Sequence, residues 1–218
     1  MTEALEITGL TVRHGAVVAV RDAALSVPAG AITGLVGVNG AGKSSLLRAV
    51  VGLAAADGGI RLGDRELSGL SVEARIGAGL AYVPEGRRVF PGMTVEENLL
   101  VAGPGNARRR RERLAQALEL FPQLAPRRAD RAWQLSGGQQ QMLAIGRALM
   151  ADPAVYLMDE PTLGLAPRVI EDVADGLARL ATNGAAILLA EQNAGFAEHV
   201  CERIVGIRTG RIEPGAVS

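Results

Sequence analysis

Aromatic residues make up only 3% of this 218-residue chain, with one tryptophan, two tyrosines and three phenylalanines. Any core must therefore rest on Ala, Leu, Val and Ile, and a hydrophobic content of 48% is enough to build a sizeable one. Cysteine is almost missing as well. Cys201 alone cannot form an internal disulfide, which suits a reducing compartment. Two histidines, His14 and His199, are too few to build a zinc site. No charge of one sign prevails, because 23 Lys and Arg balance 23 Asp and Glu. Net charge thus gives no reason to expect nucleic acid as a partner. No N-terminal segment has the basic, apolar, small-residue order of a signal peptide. Apolar runs such as Ala185–Ala190 fall far short of the ~20 residues that span a bilayer. Together these absences predict a soluble, cytoplasmic chain, free to dock on a membrane protein.

What the chain does have is glycine, and the glycines are organised. Gly37-Val38-Asn39-Gly40-Ala41-Gly42-Lys43-Ser44 fits G-x-x-x-x-G-K-[ST] at each fixed position. An apolar, β-branched run, Ala31–Val36, precedes it. A helical pattern follows, with Leu46, Leu47, Val50 and Val51 on one face and Gly52 placed to stop it. Glycines let backbone N–H groups turn inward around a polyphosphate, and the helix N-terminus adds about half a positive charge there. Lys43 is expected to reach the β- and γ-phosphates, and the Ser44 hydroxyl to ligate Mg²⁺, with Ser45 completing the binding set. This stretch predicts that the chain binds a nucleoside triphosphate.

Around that loop the chain falls into two kinds of pattern. Residues 4–28 read as antiparallel strands with a first turn at His14-Gly15, and Ile60–Leu67 reads as a short hairpin. Leu80–Val83 is a buried strand closed by Pro84. From 85 to 150 the apolar spacing becomes helical, broken at Pro91-Gly92 and Phe121-Pro122. Arg108–Arg111 with Arg113 is its one charge run, read as a solvated helix start, and Trp133 is expected to pack within this helical part, an exposed ring contacting a partner being the alternative. Parallel-sheet character returns at Ala154–Met158, followed by a helix over 169–180, a strand at Ala186–Leu189 and a last one at Ile204–Arg208. His199 and Cys201 are read as packing residues on a late helix. The organisation predicted is a single α/β domain over 1–218: residues 1–84 and 151–218 form a nucleotide-binding core, and 85–150 form an inserted helical subdomain.

Two further clusters carry chemistry. Asp159 and Glu160 end the second apolar strand. A carboxylate at a strand's C-terminal edge facing a phosphate loop is placed to anchor Mg²⁺, the role expected of Asp159. Its neighbour Glu160 can orient and deprotonate a water for in-line attack on the γ-phosphorus. Leu135-Ser136-Gly137-Gly138-Gln139 opens a helix, with Ser136 as N-cap and two glycines exposing N–H groups. This second anion-binding end lies in the helical part, away from the first loop. Two half-sites for one phosphate chain suggest a head-to-tail pair, each nucleotide lying between the loop of one subunit and Ser136–Gln139 of the other.

The loop, Leu-Ser-Gly-Gly-Gln and the strand ending in Asp-Glu, in this order, resemble the ATP-binding cassette (ABC) family across essentially the whole chain. That resemblance implies a P-loop NTPase core with a mainly parallel sheet, an N-terminal antiparallel β subdomain and a helical subdomain, using ATP and Mg²⁺. Val83–Pro91, Met93–Leu99, Glu160–Pro167 and Ala190–Asn193 are similar to the LivF-type ATPases of branched-chain amino-acid importers. The partners so implied are a second cassette or a copy of this chain, two transmembrane permease subunits, and a substrate-binding protein acting through the permease. The chain would then sit peripherally on the inner face of the cell membrane.

Several positions depart from the wider family. Most cassettes have Gln where Glu85 stands, linking Mg²⁺ or the attacking water to the helical subdomain, and Asp near Ala166. Most have His where Gln192 stands, against the γ-phosphate, and an aromatic ring on adenine near His14, where imidazole stacks over less area. The LivF-type subgroup shares the changes at Glu85, Ala166 and Gln192. Competing readings are an importer of urea or short amides, a cassette protein outside transport, and a subunit that binds ATP without turning it over.

Overall fold

The computed structural model describes residues 5–103 and 105–213. Strands β1 (Leu5–His14) and β2 (Val17–Val27) form a hairpin that leads into β3 (Ile32–Val36) and helix α1 (Lys43–Val51). The chain continues through β4 (Ala56–Leu62), β5 (Arg65–Glu66), α2 (Val72–Gly77) and β6 (Leu80–Val83). Three helices follow, α3 (Val95–Leu100), α4 (Ala107–Leu120) and α5 (Gly137–Leu149), with 3₁₀ turns between the last two. Then come β7 (Val155–Asp159), α6 (Pro167–Thr182), β8 (Ala186–Glu191), α7 (Ala194–Val200), β9 (Arg203–Arg208) and β10 (Arg211–Ile212).

Among the described residues the strands form two sheets. One is antiparallel with order β2-β1-β4-β5; the other runs β10-β9-β3-β8-β7-β6, parallel from β9 to β6 with β10 antiparallel at its edge. The fold is the expected α/β arrangement of a parallel sheet beside an antiparallel one.

Continuous apolar strands are needed because the parallel sheet is covered on both faces. In β8, Ala186, Leu188 and Ala190 join a core with α1 and the antiparallel sheet, while Ile187 and Leu189 join a second core with α3–α6. β7 divides the same way, Val155 and Leu157 to one side, Tyr156 and Met158 to the other. The strict period of two thus ties the phosphate-loop helix to one face and the helical segment to the other.

The helical segment is pinned by charge as well as by packing. Asp152, in a left-handed conformation (φ 54°) just past α5, accepts from Arg109 at 3.0 Å and pairs with Arg113. Two arginines of the run therefore brace α4 against the start of β7, whereas Arg108 pairs with Glu112 along the exposed face. The solvated reading holds for only part of that run. Trp133 takes the exposed alternative and not the packed one: 62% of it is exposed, because it sits in a 3₁₀ turn whose neighbour Ala132 takes the buried position. His199 is exposed on α7, and Cys201 lies just beyond that helix with its sulfur against Gly34, where an added Cβ would approach to 2.9 Å. Burial pushes the Cys201 thiol up to about 12.

Helix α2 is too short to show a period, yet it braces the C-terminal end of the helix that follows the loop. Arg75 is buried and donates to the carbonyls of Ala49 and Val50, both at 2.8 Å, and to Leu70 O at 3.1 Å. It thereby satisfies carbonyls at the C-terminal end of α1, where a cation also complements the negative end of the helix dipole. Arg75→Met is expected to lower stability by about 2 kcal/mol, the worth of charged hydrogen bonds lost at a buried helix end. Urea unfolding of the variant checks this.

Candidate active site

Residues 37–44 bridge the C-terminal end of β3 and the start of α1. Gly42 has φ 113°, and a Cβ there would come within 2.6 Å of the Ala19 carbonyl, so only glycine lets the loop close against β2. Lys43 is buried and folds back over the loop. Its ammonium donates to Gly37 O at 2.6 Å and Val38 O at 3.2 Å, and pairs with Glu160 Oε1 at 3.1 Å. Ser44 Oγ donates to Asp159 Oδ1 at 2.8 Å. Asp159 is fully buried, and its other oxygen accepts from the Tyr82 hydroxyl at 3.0 Å. Burial, then the Asp159 charge, pushes the Tyr82 hydroxyl up to about 12, so it stays a donor.

A cavity of about 330 Å³ joins Asn39, Gly40 and Gly42–Ser45 to Glu85, Glu160 and Leu163. Val38 is exposed at the loop, and Ala41 is buried beneath it. His14, at the end of β1, reaches the same rim, with Nε2 3.0 Å from Ser45 Oγ. Gln192 follows β8 on the other flank of Glu160, sharing with it a second cavity of about 400 Å³. Ser136–Gln139 lies elsewhere. Ser136 caps α5 through a capping box with Gln139 and is exposed, while Gly138 packs so closely that any Cβ would fall on Val169. None of these four lines either of those two cavities.

The ABC transporter family model matches residues 20–163, a span containing the loop, Ser136–Gln139, Asp159 and Glu160. The chain belongs to the ABC transporter ATPase family. It is similar to the high-affinity branched-chain amino acid transport ATP-binding protein BraG of Pseudomonas aeruginosa, 44% identical over 201 residues, covering 91% of this chain and 86% of BraG. The probable branched-chain amino acid transport ATP-binding protein LivF of Archaeoglobus fulgidus is 37% identical over 184 residues, covering 83% and 78%. A solved ATP-binding subunit of an ABC transporter matches with TM-score 0.83 at 29% identity, over 95% of this chain and 87% of that one. This ABC ATPase is accordingly an ATP-binding subunit of an ABC transporter. No helix among its described residues is long and apolar enough to cross a membrane.

Two features of the cassette's site left little signal in its sequence. Tyr82 meets Asp159 only because β6 pairs with β7 in a register that sets Tyr82 opposite Leu157. Glu191 ends β8 as Asp159 ends β7, and that parallel was its only signal. It is buried and accepts from both the backbone N–H (3.2 Å) and the hydroxyl (2.7 Å) of Thr162, tying β8 to the turn after Glu160. Glu160 itself sits in a left-handed conformation, φ 48°, at the start of that turn.

Burial raises the Glu191 carboxyl above the ordinary glutamate value; the Thr162 bonds oppose this, and the Glu160 charge adds to it. The folded cassette therefore holds that proton more tightly than the unfolded chain does. The resulting stability is complete below the ordinary value and is lost as pH rises through the raised one. Glu191→Gln keeps an oxygen for Thr162 and cannot ionise. Melting curves should show the variant gaining on the wild type as pH rises above the ordinary glutamate value, and no such gain would overturn the assignment.

Proposed function

We propose that this chain binds and hydrolyses ATP to drive an importer of branched-chain or related apolar amino acids. It works in a head-to-tail pair with a second cassette, on the cytoplasmic side of two permease subunits supplied by a binding protein. The cargo rests on likeness to BraG at 44% identity across 91% of the chain. The chemistry rests on one cluster, in which the loop lysine and serine meet two adjacent carboxylates.

Ser44 Oγ and the Asp159 carboxylate, 2.8 Å apart, are hard oxygen donors of the kind Mg²⁺ accepts, and Glu85 opens on the same cavity. When bound, Mg²⁺ would neutralise charge on the β- and γ-phosphates. The loop amides and Lys43 hold the phosphates, and His14 lies at the rim for the base. Glu160 takes the proton of a water attacking the γ-phosphorus in line, so that the bond to the β–γ bridging oxygen breaks and ADP leaves with phosphate. Gln192 can hydrogen-bond near the γ-phosphate but carries no positive charge.

Two experiments test this reading. Lys43→Ala should weaken Mg-ATP binding strongly in a protein that still folds, by loss of a charge-assisted contact; unchanged affinity in titration with a fluorescent analogue would remove the central assignment. In the reconstituted heterodimer, Ser136→Arg should abolish most ATPase activity by blocking the partner's nucleotide, whereas Glu160→Gln should reduce it only partly. The expectation follows from Gln192, since losing one charge-stabilising or proton-relaying group costs about 10²-fold or more in rate. The opposite ranking would make this chain's own site the motor.

The permease contact is assigned to Arg87–Asn98. Phe90 is 47% exposed, Val89 and Met93 are half-buried beside it, and the Arg147 guanidinium lies 5.0 Å from the Phe90 ring. Phe90→Asp should abolish co-purification with the permease and leave ATP binding by the free subunit intact; retained co-purification would place the docking surface elsewhere.

A further inference from the structure

Tandem arginines at 87 and 88 serve two different surfaces. Gly86, Arg87 and Arg88 are left-handed in succession, with φ of 86°, 66° and 42°. Side chains other than glycine resist that conformation, and the surroundings must hold them in it. Arg88 N donates to Gly86 O at 2.7 Å, and Arg147 Nη2 donates to Arg88 O at 2.6 Å, which fixes the turn from both sides. As a result the two side chains diverge. Arg88 lines a groove of about 630 Å³ with Arg48, Tyr82, Glu85 and Arg147. Arg87 turns the other way and lies on Gly137, the first residue of α5.

The packing on Gly137 is close. A Cβ built there would stand 2.7 Å from Arg87 Cζ and 2.8 Å from Nη2. Nη2 also lies 4.0 Å from the Cβ position of Gly164, in the turn that follows Glu160. The guanidinium therefore packs on the start of the Ser136 helix and faces the turn that follows Glu160.

Its electrostatics are unfavourable as they stand. A cation at a helix N-terminus opposes the dipole, and among the described residues Arg87 has no ion-pair partner. Ser136 does not relieve this, because its hydroxyl oxygen already accepts from Gln139 N and its own N–H donates to Gln139 Oε1. A guanidinium beside free helix N–H groups becomes favourable when an anion arrives, and phosphate matches both.

We infer that Arg87 binds the terminal phosphate of the nucleotide held in the partner subunit's loop, completing the site from across the interface. The inference rests on the head-to-tail reading proposed above. It gives Arg87 a catalytic role that an arginine supplied in trans can perform, stabilising charge on the transferred phosphoryl group. It also makes the strained turn a link between the γ-phosphate and the groove lined by Arg88.

The test uses the reconstituted complex with Arg87→Met, which keeps bulk over Gly137 without charge, and Arg87→Lys, which keeps charge. Arg87→Met should lower kcat about 10²-fold or more with little change in ADP binding by the free subunit. Arg87→Lys should retain activity within about tenfold of wild type, a point charge replacing the fork. In a Glu160→Gln background, Arg87→Met should also raise the ATP concentration needed for subunit association, read by light scattering. If Arg87→Met is as active as wild type while Ser136→Arg is dead, Arg87 has no such role and the head-to-tail reading stands. Equal losses for Met and Lys would make Arg87 a packing residue and overturn the inference. Full activity in Ser136→Arg would remove the head-to-tail reading itself, and this inference with it.

Discussion

Two neighbouring carboxylates, both almost out of reach of water, set the terms for the rest of this molecule. Asp159 is fully buried and Glu160 is 9% exposed, at the end of a strand sealed on both faces. Buried charges persist only where donors or counter-charges surround them. Here Lys43 answers Glu160, while Ser44 and Tyr82 take one oxygen each of Asp159. Those partners come from α1 and β6, so the sheet order and the loop must both be correct before the pair can be buried. The site and the fold are in this sense one requirement.

Much of the fold was legible because the two burial regimes leave different traces. Strands covered on both faces appear as unbroken runs, as in Val155–Met158 and Ala186–Ala190, whereas the outer strands and helices alternate or repeat. Stops were legible where glycine or proline carried the geometry, as at Gly52, whose φ of 92° ends α1. Helix α2 escaped notice since six residues make too short a window for a period. Its arginine nevertheless adds to the Gly52 cap by bonding the Ala49 and Val50 carbonyls of α1.

The site was legible to the extent that its chemistry is local in the chain. Gly37–Ser44 and Asp159-Glu160 announce themselves because loop and strand end each hold consecutive functional groups. Tyr82, Thr162 and Glu191 do not, because their contacts depend on strand register and on a turn that folds back. Trp133 shows the complementary failure. A large aromatic predicts burial on average, but a 3₁₀ turn chose its small neighbour Ala132 for the core, leaving the ring outside. Composition sets a tendency there, and local geometry decides.

Lys43 adds a last point, because it has two competing claims on it. Its ammonium bridges two loop carbonyls and Glu160, all within 3.2 Å. A triphosphate entering the loop brings several formal negative charges against a single carboxylate, so it draws the ammonium away from Glu160. On the proposed reading, Glu160 is held by the lysine until the phosphates claim it, and only then is it free to take a proton from water. Its left-handed turn, braced through Thr162 by the buried Glu191, keeps the carboxylate in place during that exchange. On that same proposed reading Gln192 is compatible with catalysis, its missing positive charge bearing on the rate of the step and Lys43 on the timing of the base.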